Sequence, residues 1–195
     1  MKKVLYALSL MTILVMAFSA CSTGSNTNTA ATPTSNAGSN NVPRWGVQTK
    51  TSGCHVNGPL QDQGCTPGAI FPSATKSKIC QSGYASSVRN VPTSTKDKVY
   101  KMYGITSHRP GQYEVDHLVS LQLGGSNDIA NLWPEAASPK PGFHEKDRVE
   151  NYLHDQVCSG AISLSQAQAE IATNWLNVYN RMPKNSTGSS TTDSE

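Results

Sequence analysis

Charge is scarce in this chain. Lys and Arg number 16 and Asp and Glu 13 among 195 residues, so 15% of positions are charged and the formal net charge is +3. Setting aside Lys2 and Lys3, which fall in the leader described below, leaves fourteen bases against thirteen acids. The whole-protein charge therefore gives no grip on nucleic acid or on an anionic surface, and any such binding must come from a local site. Several enzyme signatures are also missing. No GxSxG occurs, which removes the serine-hydrolase elbow. "FHEKD" at 143–147 lacks the second histidine of HExxH, which removes the zinc-protease reading. Without a close CxxC pair, a structural zinc site is not expected.

A long apolar run occurs at the amino terminus. "MKKVLYALSLMTILVMAFSA" has a basic opening and an apolar stretch up to Phe18, the pattern of an export signal over residues 1–20. Phe18 is too large for the −3 position of an ordinary leader site. "FSAC" at 18–21 instead has the lipoprotein order of an apolar residue, two small ones and cysteine. Cys21 is thus expected to be the lipidated mature terminus, and acyl chains at about 0.8 kcal/mol per buried methylene anchor it to a membrane. The expected location is exported and membrane-anchored, facing the periplasm or the cell exterior. Residues 21–42, rich in Ser, Thr, Asn and Gly, read as a disordered tether with a reach of roughly 25 Å. Residues 184–195 read as a disordered tail.

With Cys21 assigned, Cys54, Cys65, Cys80 and Cys158 remain. An even number in an oxidising compartment implies two disulfides, with three possible connectivities. The preferred one joins Cys54 to Cys65 as a local clip and Cys80 to Cys158 as a long-range staple. The folded part spans 43–183 and reads as α+β. Its opening is rich in turn residues and irregular. A helix starts at Ser94, where "STKD" resembles a capping box, and ends at Gly104. Two short strands flank the turn "GGSND" within 113–133. A helix follows over 142–158 with Val149, Leu153 and Val157 on one face, and a last helix from Ser163 turns Ala167, Ile171, Trp175 and Val178 inward.

The stretch "YEVDHLVSLQLGGSNDIANLWPE", 113–135, sets two ionisable residues side by side in an apolar strand. Neighbours on a regular strand face opposite ways, so Asp116 and His117 share a site only if the strand distorts there. Asn131 on the returning strand and His144 at the start of the next helix favour distortion. "DHLVSLQLGG", "NDIANLWPE" and "HEKDRVEN" together resemble the HNH nucleases of the His-Me finger, or ββα-metal, superfamily. From "KICQSGYASSVRNVP" to "QVCSGAISLSQAQAEIATNW" the chain is similar to small exported bacterial HNH-like proteins. The resemblance implies a hairpin-plus-helix core with flanking helices and a low-specificity, metal-dependent endonuclease that hydrolyses DNA, with RNA as an alternative substrate.

His117 would take a proton from water, Asn131 would hold the loop and the base, and Asp116 and His144 would bind a divalent cation. Magnesium is the first choice, with manganese, nickel and zinc as alternatives. Lys146 follows His144 at a spacing of two where many HNH proteins have three, so Asp147 and Glu150 stand as alternative ligands. Arg148 and Lys146 are the leading phosphate contacts, and Arg89 and Arg109 the weaker ones. His55, His108 and His154 are expected to be exposed polar residues, and Trp133 to be core. Beyond nucleic acid and the membrane no partner is expected. The rival reading is a non-catalytic HNH-like surface or nucleic-acid-binding module.

Overall fold

Strand-forming residues of the 113–136 segment pair once, as β1 (Tyr113–His117) and β2 (Leu132–Ala136), an antiparallel pair in which Tyr113 faces Ala136 and His117 faces Leu132. Around this pair a computed structural model, which describes residues 43–184, places five helices. They are α1 (Lys76–Ile79), α2 (Tyr84–Val88), α3 (Thr93–Met102), α4 (Phe143–Ser159) and α5 (Leu164–Arg181). The class is mixed α and β, as expected. The leader, the lipidation site at Cys21, the tether and the tail beyond Lys184 lie outside the described residues.

The two strands are not joined by a tight turn. Two 3-10 turns, Leu121–Leu123 and Ile129–Asn131, fill the connection, and β2 starts only after the second. The "GG" pair makes this loop possible. Gly124 has φ +76, which favours glycine, and a Cβ on Gly125 would lie 1.7 Å from the Val119 carbonyl oxygen. The loop's apolar residues Leu118, Val119 and Leu123 enter the core with Trp133 of β2, which is 1% exposed.

Helices α4 and α5 supply the rest of that core. Val149, Leu153 and Val157 of α4 and Ala167, Ile171, Trp175 and Val178 of α5 are all buried, the stripes that the helical spacing predicts. Ser163 caps α5 by accepting from the Gln166 amide at 3.1 Å. Helix α3 departs from expectation at its start: Pro92 holds the cap position, and no side chain bonds the first turn. The opening 43–75 contains no helix or named strand. It is clipped by the buried Cys54–Cys65 disulfide, while Cys80–Cys158 joins the end of α1 to α4. Both pairings agree with the preferred connectivity and are compatible with an extracellular protein. Among the described residues no helix is long and apolar enough to cross a membrane.

Candidate functional site

The expected distortion of β1 is absent. Asp116 opposes Trp133 and His117 opposes Leu132 in unbroken register, so the two side chains leave the strand in opposite directions. Asp116 points toward α4, where Lys146 waits. The Lys146 ammonium donates to Asp116 Oδ2 at 2.6 Å, to the His117 carbonyl at 2.8 Å and to Glu150 Oε1. Its three donors are thereby used, and its side chain is 0% exposed. A phosphate role for Lys146 is corrected by this geometry, because no phosphate reaches a saturated ammonium in the interior.

Helical geometry explains why Lys146 faces inward and His144 does not. At about 100° per residue, positions two apart lie on nearly opposite sides of a helix. The buried line of α4 runs through Lys146, Val149, Glu150 and Leu153. His144 is exposed and packs its ring edge-on against Phe143 at 4.3 Å. Asp116, His117 and His144 form no group with ligand atoms within 4.8 Å of one another among the described residues. Of the alternatives, Glu150 reaches Asp116's partner Lys146, whereas Asp147 is exposed.

Glu135 of β2 completes the cluster. It is 1% exposed, and its side chain is hydrogen-bonded to that of Asp116. Burial raises its pKa well above the ordinary value, and the lysine offsets this only in part, so Glu135 keeps its proton. Burial also acts upward on Asp116, but there the Lys146 charge wins and the pKa is lowered. For Lys146, burial disfavours the charge, yet the facing carboxylates outweigh it and the ammonium persists. Glu150 is pushed up, mainly by burial.

His117 lies on the other side of the strand, 3% exposed. Asn127 Nδ2 donates to the Val88 carbonyl at 2.8 Å, which leaves Asn127 Oδ1 as an acceptor, 3.1 Å from His117 Nε2. The Nε2 proton is therefore held by Asn127, and Nδ1 carries the lone pair. Burial lowers the ring's pKa to about 4, and Arg89 and Lys146 add to this while Asp116 opposes it. The imidazole is thus neutral at physiological pH. Asn131 holds the loop between Asp116–His117 and β2 with four hydrogen bonds. Its Oδ1 accepts from Ala69 and Val119 amides at 3.2 and 2.9 Å, and its Nδ2 donates to Val119 and Ser126 carbonyls, both at 2.9 Å.

A cleft of about 460 Å³ opens along β1, walled by Arg89, Lys96, Tyr100, His108 and Asp116. Arg89, a weaker candidate on sequence, borders this cleft and acts electrostatically on His117. The Tyr100 and His108 rings lie 4.4 Å apart at the cleft's edge. Acidic Asp97 and Glu114 share the wall, so its charge is mixed. The other sequence candidates fall elsewhere. Arg148 donates to the Lys184 carbonyl at 2.9 Å and sits over the Tyr179 ring of α5, on the far side of α4 from Lys146. Arg109 lines a separate hollow of about 520 Å³ whose walls bring no further ionisable group. His55 and His108 are exposed, while His154 is half-buried against the Ile79 carbonyl.

Cys80, His154 and Cys158 offer ligand atoms within 4.8 Å of one another and could hold a metal ion. Metal binding needs free thiolates, and the Cys80–Cys158 disulfide consumes both. Sequence reasoning overlooked Glu135 and Asn127 and left Glu150 as an alternative. The Lys146–Glu150 spacing of four was the available signal for the last. No protein-family model, curated protein or solved structure matches the chain.

Proposed function

We propose that the chain is a phosphodiester hydrolase, an HNH-type endonuclease acting on DNA or, alternatively, RNA, exported and held to a membrane through lipid on Cys21. The carrying observation is His117: a neutral imidazole with its Nε2 proton fixed by Asn127, its lone pair on Nδ1, and Arg89, which borders the cleft, acting electrostatically on it. In this reading Nδ1 takes the proton of the attacking water. The hydroxide adds to phosphorus as the ester P–O bond breaks, and the departing alkoxide takes a proton from solvent. The Arg89 guanidinium faces the charge that builds on the phosphoryl oxygens. Asn131 positions the loop that follows the base. The Tyr100 and His108 rings suit stacking on bases without reading them, which matches low sequence specificity.

The magnesium ion implied by the resemblance, held by Asp116 and His144, does not fit this site. His144 faces solvent, and Asp116 is already paired with Lys146. The rival reading, a non-catalytic HNH-like module, is favoured by one observation, the 3% exposure of His117.

Plasmid and single-stranded RNA incubated with the purified chain, with magnesium, with manganese and with chelator, separate the two. Cutting by wild type that is lost in His117→Ala supports the enzyme. Equal cutting by both proteins, or none on either substrate under any condition, refutes it.

A further inference from the structure

We infer that Lys146 is the resident cation of the junction between β1 and α4, standing where an HNH-like reading puts a metal ion, so that this junction takes up no divalent ion while the lysine is present. Four ionisable side chains meet there: Asp116 from β1, Glu135 from β2, and Lys146 and Glu150 one turn apart on α4. A divalent ion at that point needs oxygen ligands facing an open position. The position is filled. Every proton of the ammonium has an acceptor: the Asp116 carboxylate, an oxygen of the Glu150 carboxyl group and the His117 carbonyl. The lysine has no solvent exposure, so an incoming ion would have to drive a charged group out through packed core.

The surrounding acids are matched to one positive charge and not to two. Asp116 is ionised against the lysine, while Glu135, hydrogen-bonded to Asp116, retains its proton and burial pushes Glu150 up to about 8. The ammonium also does what a bound ion would do for the fold. It ties strand to helix by bonding both a side chain and a backbone carbonyl of β1 from within α4. Removing it leaves three carboxyl groups around a vacated channel, and that set is a hard-oxygen site for manganese or magnesium.

The test does not use nuclease activity, so failure of the proposed function leaves it intact. In the full chain with isotope-labelled lysine, the Lys146 ammonium is expected to give an NMR signal protected from solvent exchange that persists in excess magnesium. Its disappearance on adding magnesium overturns the inference, as does measurable manganese binding by wild type that Asp116→Asn abolishes. Lys146→Ala is expected to acquire a manganese-dependent rise in thermal midpoint that wild type lacks and that Lys146→Ala/Glu150→Gln loses. A folded Lys146→Ala that ignores manganese also overturns the inference. Should that variant fail to fold, the wild-type spectra and binding measurements decide.

Discussion

At the scale of single residues, His117 and Lys146 show burial acting in opposite ways. His117 donates only one hydrogen bond to a neutral amide oxygen and has opposing charges on either side, so burial wins and its pKa falls to about 4. Lys146 has two carboxylates in contact, so attraction wins and the charge survives. The sign of the linked stability follows for His117. Between its reference value near 6.5 and its folded value near 4, the unfolded chain binds the proton that the native ring refuses. Acidification through that window therefore favours unfolding, by about 3 kcal/mol for a shift of this size. An NMR titration of the ring should find its midpoint near pH 4, and the wild-type loss of stability on acidification should be smaller in His117→Gln. A midpoint near the reference value would remove the neutral base from the proposed mechanism.

At the scale of elements, the segment between β1 and β2 is held by one side chain. Asn131→Ala removes four hydrogen bonds and strands the buried amides of Ala69 and Val119. Each orphaned buried group costs about 1–3 kcal/mol, so the variant should lose at least about 3 kcal/mol by denaturant unfolding. The Val119 amide should exchange faster while amides within α5 keep their protection relative to global stability. The residues behind this element were partly legible. "GG" and Asn131 stand out in the sequence, and Gly125 is needed because Val119 O leaves no room for a Cβ. Nothing along the sequence indicates that one of the four bonds of Asn131 reaches back to Ala69, sixty-two positions earlier. The start of β2 was misjudged for a related reason: Ile129–Asn131 is apolar enough to read as strand, but the Asp128 side chain accepts from the Ala130 amide and turns it into a 3-10 helix.

At the scale of the molecule, two covalent links of different reach divide the work. Cys80–Cys158 spans 78 positions and Cys54–Cys65 spans 11. Loop-closure entropy alone assigns the first about 4 kcal/mol and the second about 3 kcal/mol. Serine pairs at each site should lower the denaturant midpoint in that order. The longer link ties α1, and with it the approach to α2 and Arg89, onto α4. Its loss should therefore also expose His117, read as a rise of its titration midpoint toward the reference value.

The class of the fold, the span of α4, the start of α5 and their buried stripes were decided by the sequence itself, because each rests on local spacing. The four cysteines left three pairings open, and the structure selected the preferred one. The sequence did not decide which residues meet at the site. Asp116 and His117 are adjacent in the chain and part company across the strand, while Lys146 and Glu135, thirty and nineteen positions from Asp116, come to its side. Which of α4's charged residues turns inward depends on the rotation at which the helix docks against the β1–β2 pair. That rotation is set by the packing of Val149, Leu153 and Val157 in the core, and only the tertiary structure decides it.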